Sequence, residues 1–330
     1  MKLLILSNNP DRASFRQRIA VYVDTLKTNG IDCDITKLPG GLIARRKLFK
    51  LASDFDGVFL HKKGLNIFDA YYLKKNSKKI IFNFDDAVMY SDAHPQQYSA
   101  SHFRPWRRSV KLADMVIVGS SYLAELARMF NQNVEILPIG LKIDDYKVEN
   151  PKKSDDKIRL VWIGSESNLK YLGQIKPVIE AIGSRFPNVV LRIIGDKFFD
   201  MPGMPVEKLQ WSDQTRVLGL VTSDIGLAPL PDNRFTRGKC SFKVLEYAAA
   251  GLPVVASPIG TNKDHIREGI TGFLAENDDQ WLEKISLLVK DRQLRQTMGR
   301  QGRDFAQQFD ISVIGKRFCG IIRKCLADAG

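Results

Sequence analysis

The chain is 330 residues long, 44% hydrophobic and 26% charged, with a formal net charge of +13. This is the composition of a soluble globular protein, and the length favours two domains over a single core. The longest apolar runs, such as Leu3–Leu6, are far too short to cross a bilayer. The four cysteines (Cys33, Cys240, Cys319, Cys325) and four histidines (His61, His94, His102, His265) show no zinc or HExxH spacing, so no metal site is expected.

In chain order, Lys2–Leu6 reads as a first β-strand. Its apolar core is too short for a secretory signal and no small-residue cleavage site follows, so the expected compartment is the cytoplasm. Helical periodicity covers Phe15–Lys27. Strands are expected at Asp32–Thr36, Gly57–Leu60, Lys79–Asn83, Met115–Val118 and Val134–Leu137, with a helix at Tyr122–Phe130. The alternation predicts βαβ units and a parallel sheet. The polar stretch Lys142–Lys157 lacks periodicity and is expected to hold a linker at 146–156.

The pattern restarts with strands at Ile158–Ile163, Val189–Ile194, Ile225–Ala228, Pro253–Ala256 and Gly272–Leu274. Helices are expected at Leu169–Arg185, Phe242–Ala250, Asp279–Lys290, Gln293–Gln308 and Ser312–Ala327. The fold class is therefore α/β, with two doubly wound Rossmann-like domains at 1–145 and 157–310. A C-terminal helix at 311–330 is expected to pack back on the first domain. Open parallel sheets bind ligands beyond their strand C-termini, so a shared cleft is the expected site.

Charge is uneven. Lys37 to Lys111 holds 15 Lys/Arg against 6 Asp/Glu. A solvated lysine-rich surface and a face for an anionic membrane, with Phe49, Phe103 and Trp106 as its aromatics, are both open readings.

The first strand is followed by SNNPDRASFRQR, without the glycines of a dinucleotide-binding turn, and GxxxxGK[ST] is absent; a dehydrogenase and a P-loop ATPase are both disfavoured. Ser223–Phe273 is more informative. It reads as strand, basic loop (Arg234, Arg237, Lys239), helix from near Ser241 to Gly251, then buried strand. A helix start after a parallel strand presents unpaired N–H groups and a positive dipole end to an anion, most commonly phosphate. Lys239 and Lys243 bracket that start, and Glu246 sits one turn inside, where a carboxylate suits two ribose hydroxyls. Asp85 and Asp86 end the strand KKIIFNF; one of them is expected to face the cleft, with a helix cap as the alternative. Arg16 and Arg18 follow the first strand, and Arg16 is the preferred anion contact.

The stretch SFKVLEYAAAGLPVVASPIG resembles the donor-site helix and strand of family 4 glycosyltransferases, which have the GT-B fold. VWIGSESNLKYL resembles the first strand and phosphate loop of their C-terminal domain, and SDIGLAPL the strand before the donor loop. GITGFLAENDDQWLEKISLLVKD and LRQTMGRQGR resemble their tail; ADMVIVGSS and ILPIG resemble the last strands of their N-terminal domain. The resemblance implies a retaining, metal-independent transfer of a sugar from a nucleotide diphosphate sugar, with no other cofactor. The implied acceptor is a polysaccharide or glycolipid of the bacterial surface type, such as lipopolysaccharide.

Carried over by position, Glu246 holds the ribose. Amides at Ser241, Phe242 and Lys243, with Ser165, Lys170 and Lys239, face the diphosphate, and Trp211 lies by the base. Two departures stand out: Gly238 occupies the place of a frequent glutamate, and Ser165 that of a common arginine. Lys239 and one of Asp85 or Asp86 are the expected catalytic residues, the acid positioning the acceptor hydroxyl. Expected partners are the nucleotide sugar, a glycan or glycolipid and an anionic membrane face, with no nucleic acid. A nucleotide-sugar epimerase of the same fold is the alternative enzyme, and a basic nucleic-acid-binding protein the alternative outside catalysis.

Overall fold

The computed structural model describes residues 1–148 and 155–327. The chain forms two compact units. One comprises Met1–Gly140, Asn233–Cys240 and Phe309–Gly330; the other comprises Leu141–Asp232 and Ser241–Gln308.

The first unit holds β1 (Lys2–Ser7), β2 (Asp32–Lys37), β3 (Gly57–His61), β4 (Ile80–Phe84), β5 (Tyr90–Ser91), β6 (His94–Tyr98), β7 (Met115–Val118) and β8 (Val134–Ile136). Six of them form one sheet in the order β2-β1-β3-β4-β7-β8, all pairs parallel. β5 and β6 make a separate antiparallel hairpin. Strands β3, β4 and β7 are buried on both faces, which is why they read as unbroken apolar runs rather than as alternation.

The second unit holds β9 (Ile158–Ile163), β10 (Val189–Gly195), β11 (Val206–Gln210), β12 (Ile225–Ala228), β13 (Val254–Ala256) and β14 (Gly272–Leu274). Its order is β11-β10-β9-β12-β13-β14, again parallel throughout. The strand order reverses beside β1 in one sheet and beside β9 in the other, so ligand crevices are expected at the C-terminal ends of β1/β3 and β9/β12.

Several elements differ from the sequence expectation. Phe15–Lys27 is not one helix: Ala13–Arg18 and Val23–Thr28 flank a 3-10 turn at Ala20–Tyr22. Leu169–Arg185 divides into Glu166–Gln174 and Lys176–Arg185, with Pro177 in the first turn of the second helix, where its missing N–H costs nothing. Helices Leu42–Leu51, Ile67–Asn76 and Ala100–Leu112 fill the basic region.

Two boundaries move. Asn233–Cys240, read from sequence as part of the C-terminal domain, clusters with the first unit. The cause is close packing: a Cβ on Gly238 would lie 2.5 Å from the Ala87 Cβ, and Cys240 Sγ donates to the Asp85 carbonyl at 2.6 Å. Tyr146, read as the start of the linker, is buried in the second unit; residues 149–154 of that linker lie outside the described residues.

Helix Ile311–Ala327 belongs to the first unit, where Phe318 packs edge-on against Tyr22 and Phe59. Burying a side chain of that size contributes about 1.5–3 kcal/mol. Among the described residues no helix is long and apolar enough to cross a membrane.

Candidate functional site

In the second unit, helix Phe242–Ala249 starts from Ser241, whose backbone is left-handed at φ 48°. A serine in that region is strained, and here its side chain makes no cap hydrogen bond. Ser241 Oγ is buried without a partner, and the His265 ring hydrogen-bonds the Ser241 backbone. The first turn carries no acidic residue.

Lys243 Nζ lies 4.3 Å from the centre of the Trp162 ring, a cation–π contact. Beside it Gly164 follows the last residue of β9; a Cβ there would meet the Trp162 ring at 2.8 Å. The glycine therefore lets the strand end, the indole and the ammonium group sit together.

Glu246, one turn inside, is 4% exposed. Its Oε1 accepts from the Tyr146 hydroxyl at 2.9 Å and from Arg216 Nη1 at 3.0 Å. Arg216 Nη1 also donates to the Tyr146 oxygen. Burial pushes the Glu246 carboxyl above its ordinary value, against the pull of Arg216, Tyr146 and Lys243. Both donors meet the same oxygen, which fixes the carboxylate plane.

A second helix start, at Glu166–Gln174, is already engaged by a carboxylate: Glu166 N–H donates to Asp196 Oδ1 at 2.7 Å. Ser165, its cap residue, shares its hydroxyl with Ser167 and with the Asn168 amide. Lys170 is exposed, its Nζ 5.3 Å from the Tyr171 ring. Trp211, at the end of edge strand β11, is 37% exposed, and its backbone N–H donates to the Gly195 carbonyl.

In the first unit, Lys62 follows β3 with φ 53° and its ammonium lies 2.5 Å from Asp85 Oδ1 and 2.7 Å from Asp86 Oδ2. Burial opposes the Lys62 charge, but the two carboxylates outweigh it and raise its pKa. Burial would likewise raise Asp86; Lys62 and then Lys239 override it, and the carboxyl stays below its ordinary range. Asp85 is buried and Asp86 half-buried, so Asp86 is the acid with an open side. Lys239 is therefore a charge neighbour of Asp86, and its Nζ lies 5.0 Å from the Phe235 ring.

Behind this pair, Asn83 donates to the Ile117 carbonyl and turns its oxygen to His61 Nδ1 at 2.9 Å. That arrangement places the proton on Nδ1 and leaves Nε2 as an acceptor. Burial lowers the His61 pKa to about 4. Arg18 is 1% exposed, and all three guanidinium nitrogens lack a hydrogen-bond partner.

The structure thus gathers Asp85, Asp86 and Lys239 in one unit and Ser241, Phe242, Lys243 and Glu246 in the other. Arg16 is not drawn in: its guanidinium bonds the carbonyl of Asp11 in its own loop, and Arg18 takes the interior position. The aromatics proposed for a membrane face are also corrected. Phe49 and Trp106 belong to the core and Phe103 packs against it.

Sequence reasoning missed Lys62, His61, Tyr146 and Arg216 as site residues. Tyr146 lies in the polar stretch taken for a linker, and the signal against that reading was an aromatic residue among charges. At Gly238, where the resemblance led to the expectation of a glutamate, the backbone presses on Ala87 and leaves no space for a side chain.

Two parallel Rossmann-like sheets define an α/β fold of the GT-B class. Residues 157–291 match the family described as Glycosyl transferases group 1. The sulfoquinovosyl transferase of Arabidopsis thaliana is 24% identical over 213 residues, 60% of this chain and 39% of that protein. A glycosyltransferase of Methanocaldococcus jannaschii is 33% identical over 85 residues, 22% of this chain and 24% of its own. The chain thus spans about two fifths and a quarter of these curated relatives.

Among solved structures, sucrose-phosphate synthase from Thermosynechococcus elongatus superposes with a TM-score of 0.76 at 15% identity, covering 99% of both chains. Anabaena HepE in complex with UDP and glucose gives 0.72 at 16% identity, covering 98% of this chain and 100% of that one.

Proposed function

We propose that the protein is a glycosyltransferase that moves a sugar from a nucleotide diphosphate sugar to a hydroxyl of a glycan or glycolipid, retaining the anomeric configuration and using no metal ion. The observation that carries the reading is helix Phe242–Ala249. Its amino end has no acidic residue, Lys243 stands beside it, and a buried, doubly anchored Glu246 lies one turn in. The group 1 match over residues 157–291 and the UDP in HepE support it.

In this reading the amides at Ser241, Phe242 and Lys243 receive the diphosphate, and Glu246 accepts the ribose hydroxyls on the oxygen that Tyr146 and Arg216 leave open. Ser165 and Lys170 lie at the cap and within the neighbouring helix Glu166–Gln174, and Trp211 flanks the base. Lys239, three residues before the first helical residue, is the proposed cation that meets charge growing on the leaving phosphate as the glycosidic C–O bond breaks. Asp86 accepts a hydrogen bond from the acceptor hydroxyl and orients it, while Asp85 and Lys62 fix its position. A carboxylate held ionised by two lysines is a weak proton acceptor, which suits orientation; as the new C–O bond to the acceptor forms, the hydroxyl proton passes to the departing diphosphate oxygen.

The test is release of nucleoside diphosphate from a panel of nucleotide sugars with a mixed glycolipid acceptor fraction. Acceptor-dependent release that falls strongly in Lys239→Ala supports the reading. Turnover of the nucleotide sugar to an epimer, with no free nucleotide, overturns it.

A further inference from the structure

The sheet of the first unit reverses its strand order between β1 and β3, and open parallel sheets take ligands in the crevice beyond such a pair of strand ends. Ser7 and His61 end the two strands and face one another in the register. Helix Ala13–Arg18 flanks the crevice from the β1 side, where the Phe15 ring meets the His61 ring edge-on at 5.5 Å. Arg18 lies three residues further along that helix, on the same face as Phe15.

Arg18 and His61 are both buried. The three guanidinium nitrogens and His61 Nε2 have no hydrogen-bond partner. His61, Cys240 and Tyr22 all feel the Arg18 charge, yet none of them neutralises it. Burial pushes the Tyr22 hydroxyl up to about 12 and the Cys240 thiol well above its ordinary value, so both stay protonated. The thiol is in any case spent on the Asp85 carbonyl.

A buried charge is ordinarily paired, because desolvation of a lone one is costly. The acids at the end of β4 do not pair with Arg18. Lys62 holds Asp85 at 2.5 Å and Asp86 at 2.7 Å, and Lys239 adds positive charge beside Asp86. Three cations thus stand against two carboxylates, and Arg18 is the cation whose nitrogens bond nothing among the described residues. Water can satisfy hydrogen bonds in such a place, but it brings no counter-charge.

The two unpartnered groups make different demands. The guanidinium presents a planar fork that matches two oxygens of a carboxylate or a phosphate. His61 Nδ1 is committed to Asn83 Oδ1, which leaves Nε2 as an acceptor in need of a donor. An oxyanion with a hydroxyl on a neighbouring atom meets both demands, and that combination is the chemistry of an acidic sugar.

We propose that the β1/β3 crevice binds a sugar acid or a sugar phosphate, its oxyanion on the Arg18 fork and a neighbouring hydroxyl donating to His61 Nε2. β4 adjoins β3, about 4.8 Å away, so this pocket and the acid pair open from adjacent strand ends. Under the sugar-transfer reading, on which this consequence alone rests, the acceptor carries a negative charge close to its reacting hydroxyl.

The test is titration calorimetry of the full chain, without nucleotide, against glucuronate, glucose 6-phosphate, glucose and inorganic phosphate. At least one acidic sugar is expected to bind about tenfold or more tighter than glucose and than inorganic phosphate; glucuronate alone assigns a carboxylate, glucose 6-phosphate alone a phosphate. Arg18→Met should abolish the preference for the acidic sugar over glucose. Arg18→Lys, which keeps the charge and loses the fork, should lower acidic-sugar affinity about tenfold. Circular dichroism and UDP affinity should stay unchanged in both. Acidic sugars that bind no better than glucose, inorganic phosphate that binds as tightly as they do, or variants that bind as the wild type does, would overturn the proposal. So would an Arg18→Met that weakens UDP and spares the acidic sugar, since that assigns the arginine to the nucleotide. Sugar transfer itself is read by nucleotide release, so its failure is distinguishable from the failure of this pocket.

Discussion

The Tyr146 hydroxyl donates to Glu246 Oε1 at 2.9 Å across a hundred positions of sequence. Arg216 holds the same oxygen, so a carboxylate that burial would otherwise disfavour has two partners. Tyr146→Phe removes a donor to a buried carboxylate, a loss of about 1.5–3 kcal/mol. Urea unfolding should show that destabilisation, and calorimetry with UDP or GDP should show weaker binding than in the wild type.

The same carboxyl predicts a pH dependence. Burial raises the Glu246 pKa above 4.5, and a protonated carboxyl accepts hydroxyls poorly. Nucleotide affinity should therefore decline on acidification before an ordinary glutamate would titrate. In Glu246→Gln that inflection should vanish, with affinity low at every pH.

His61 gives a stability window of its own. Its pKa falls from 6.5 to about 4 on folding, so the unfolded chain binds more protons between those values. Stability is then full above pH 6.5 and lost as pH falls toward 4. The whole window amounts to about 3 kcal/mol. Urea midpoints measured across it should drop in the wild type and stay flatter in His61→Asn.

Arg18 is a buried charge whose guanidinium nitrogens bond no protein atom. Replacing such a charge with an apolar side chain of similar size is often neutral or stabilising. Arg18→Met is expected to keep or raise the thermal midpoint; a large loss of stability would show that Arg18 serves the fold.

Much of this was legible in the sequence, and the reason lies in the parallel sheets. Buried parallel strands such as Ile80–Phe84 and Met115–Val118 are continuous apolar runs, which survive any shift of register. Three strands were missed: Tyr90–Ser91 and His94–Tyr98, a short hairpin apart from the main sheet, and Val206–Gln210, an edge strand with mixed exposure and three polar residues in five. Among candidate site residues, those on helix Phe242–Ala249 were readable because strand, loop and helix are consecutive. Lys62 was not: it looked like one lysine among many, and only the adjacency of β3 to β4 brings it to Asp85 and Asp86. Its left-handed backbone has no sequence signal at all.

Gly238 illustrates a departure whose meaning only packing supplies. Gly238→Glu would supply the residue that the family resemblance leads one to expect there, yet a Cβ at that position meets the Ala87 backbone nitrogen at 2.8 Å. Overpacking of that kind costs about 1–3 kcal/mol, so the variant should unfold at lower urea and show no gain in turnover.

The most direct measurement is a crystal structure with UDP, GDP or dTDP bound. The phosphate oxygens are expected within hydrogen-bond distance of the amides of Phe242 and Lys243, and the ribose hydroxyls on Glu246. A diphosphate bound away from that helix end, with Glu246 still held only by Tyr146 and Arg216, would contradict it.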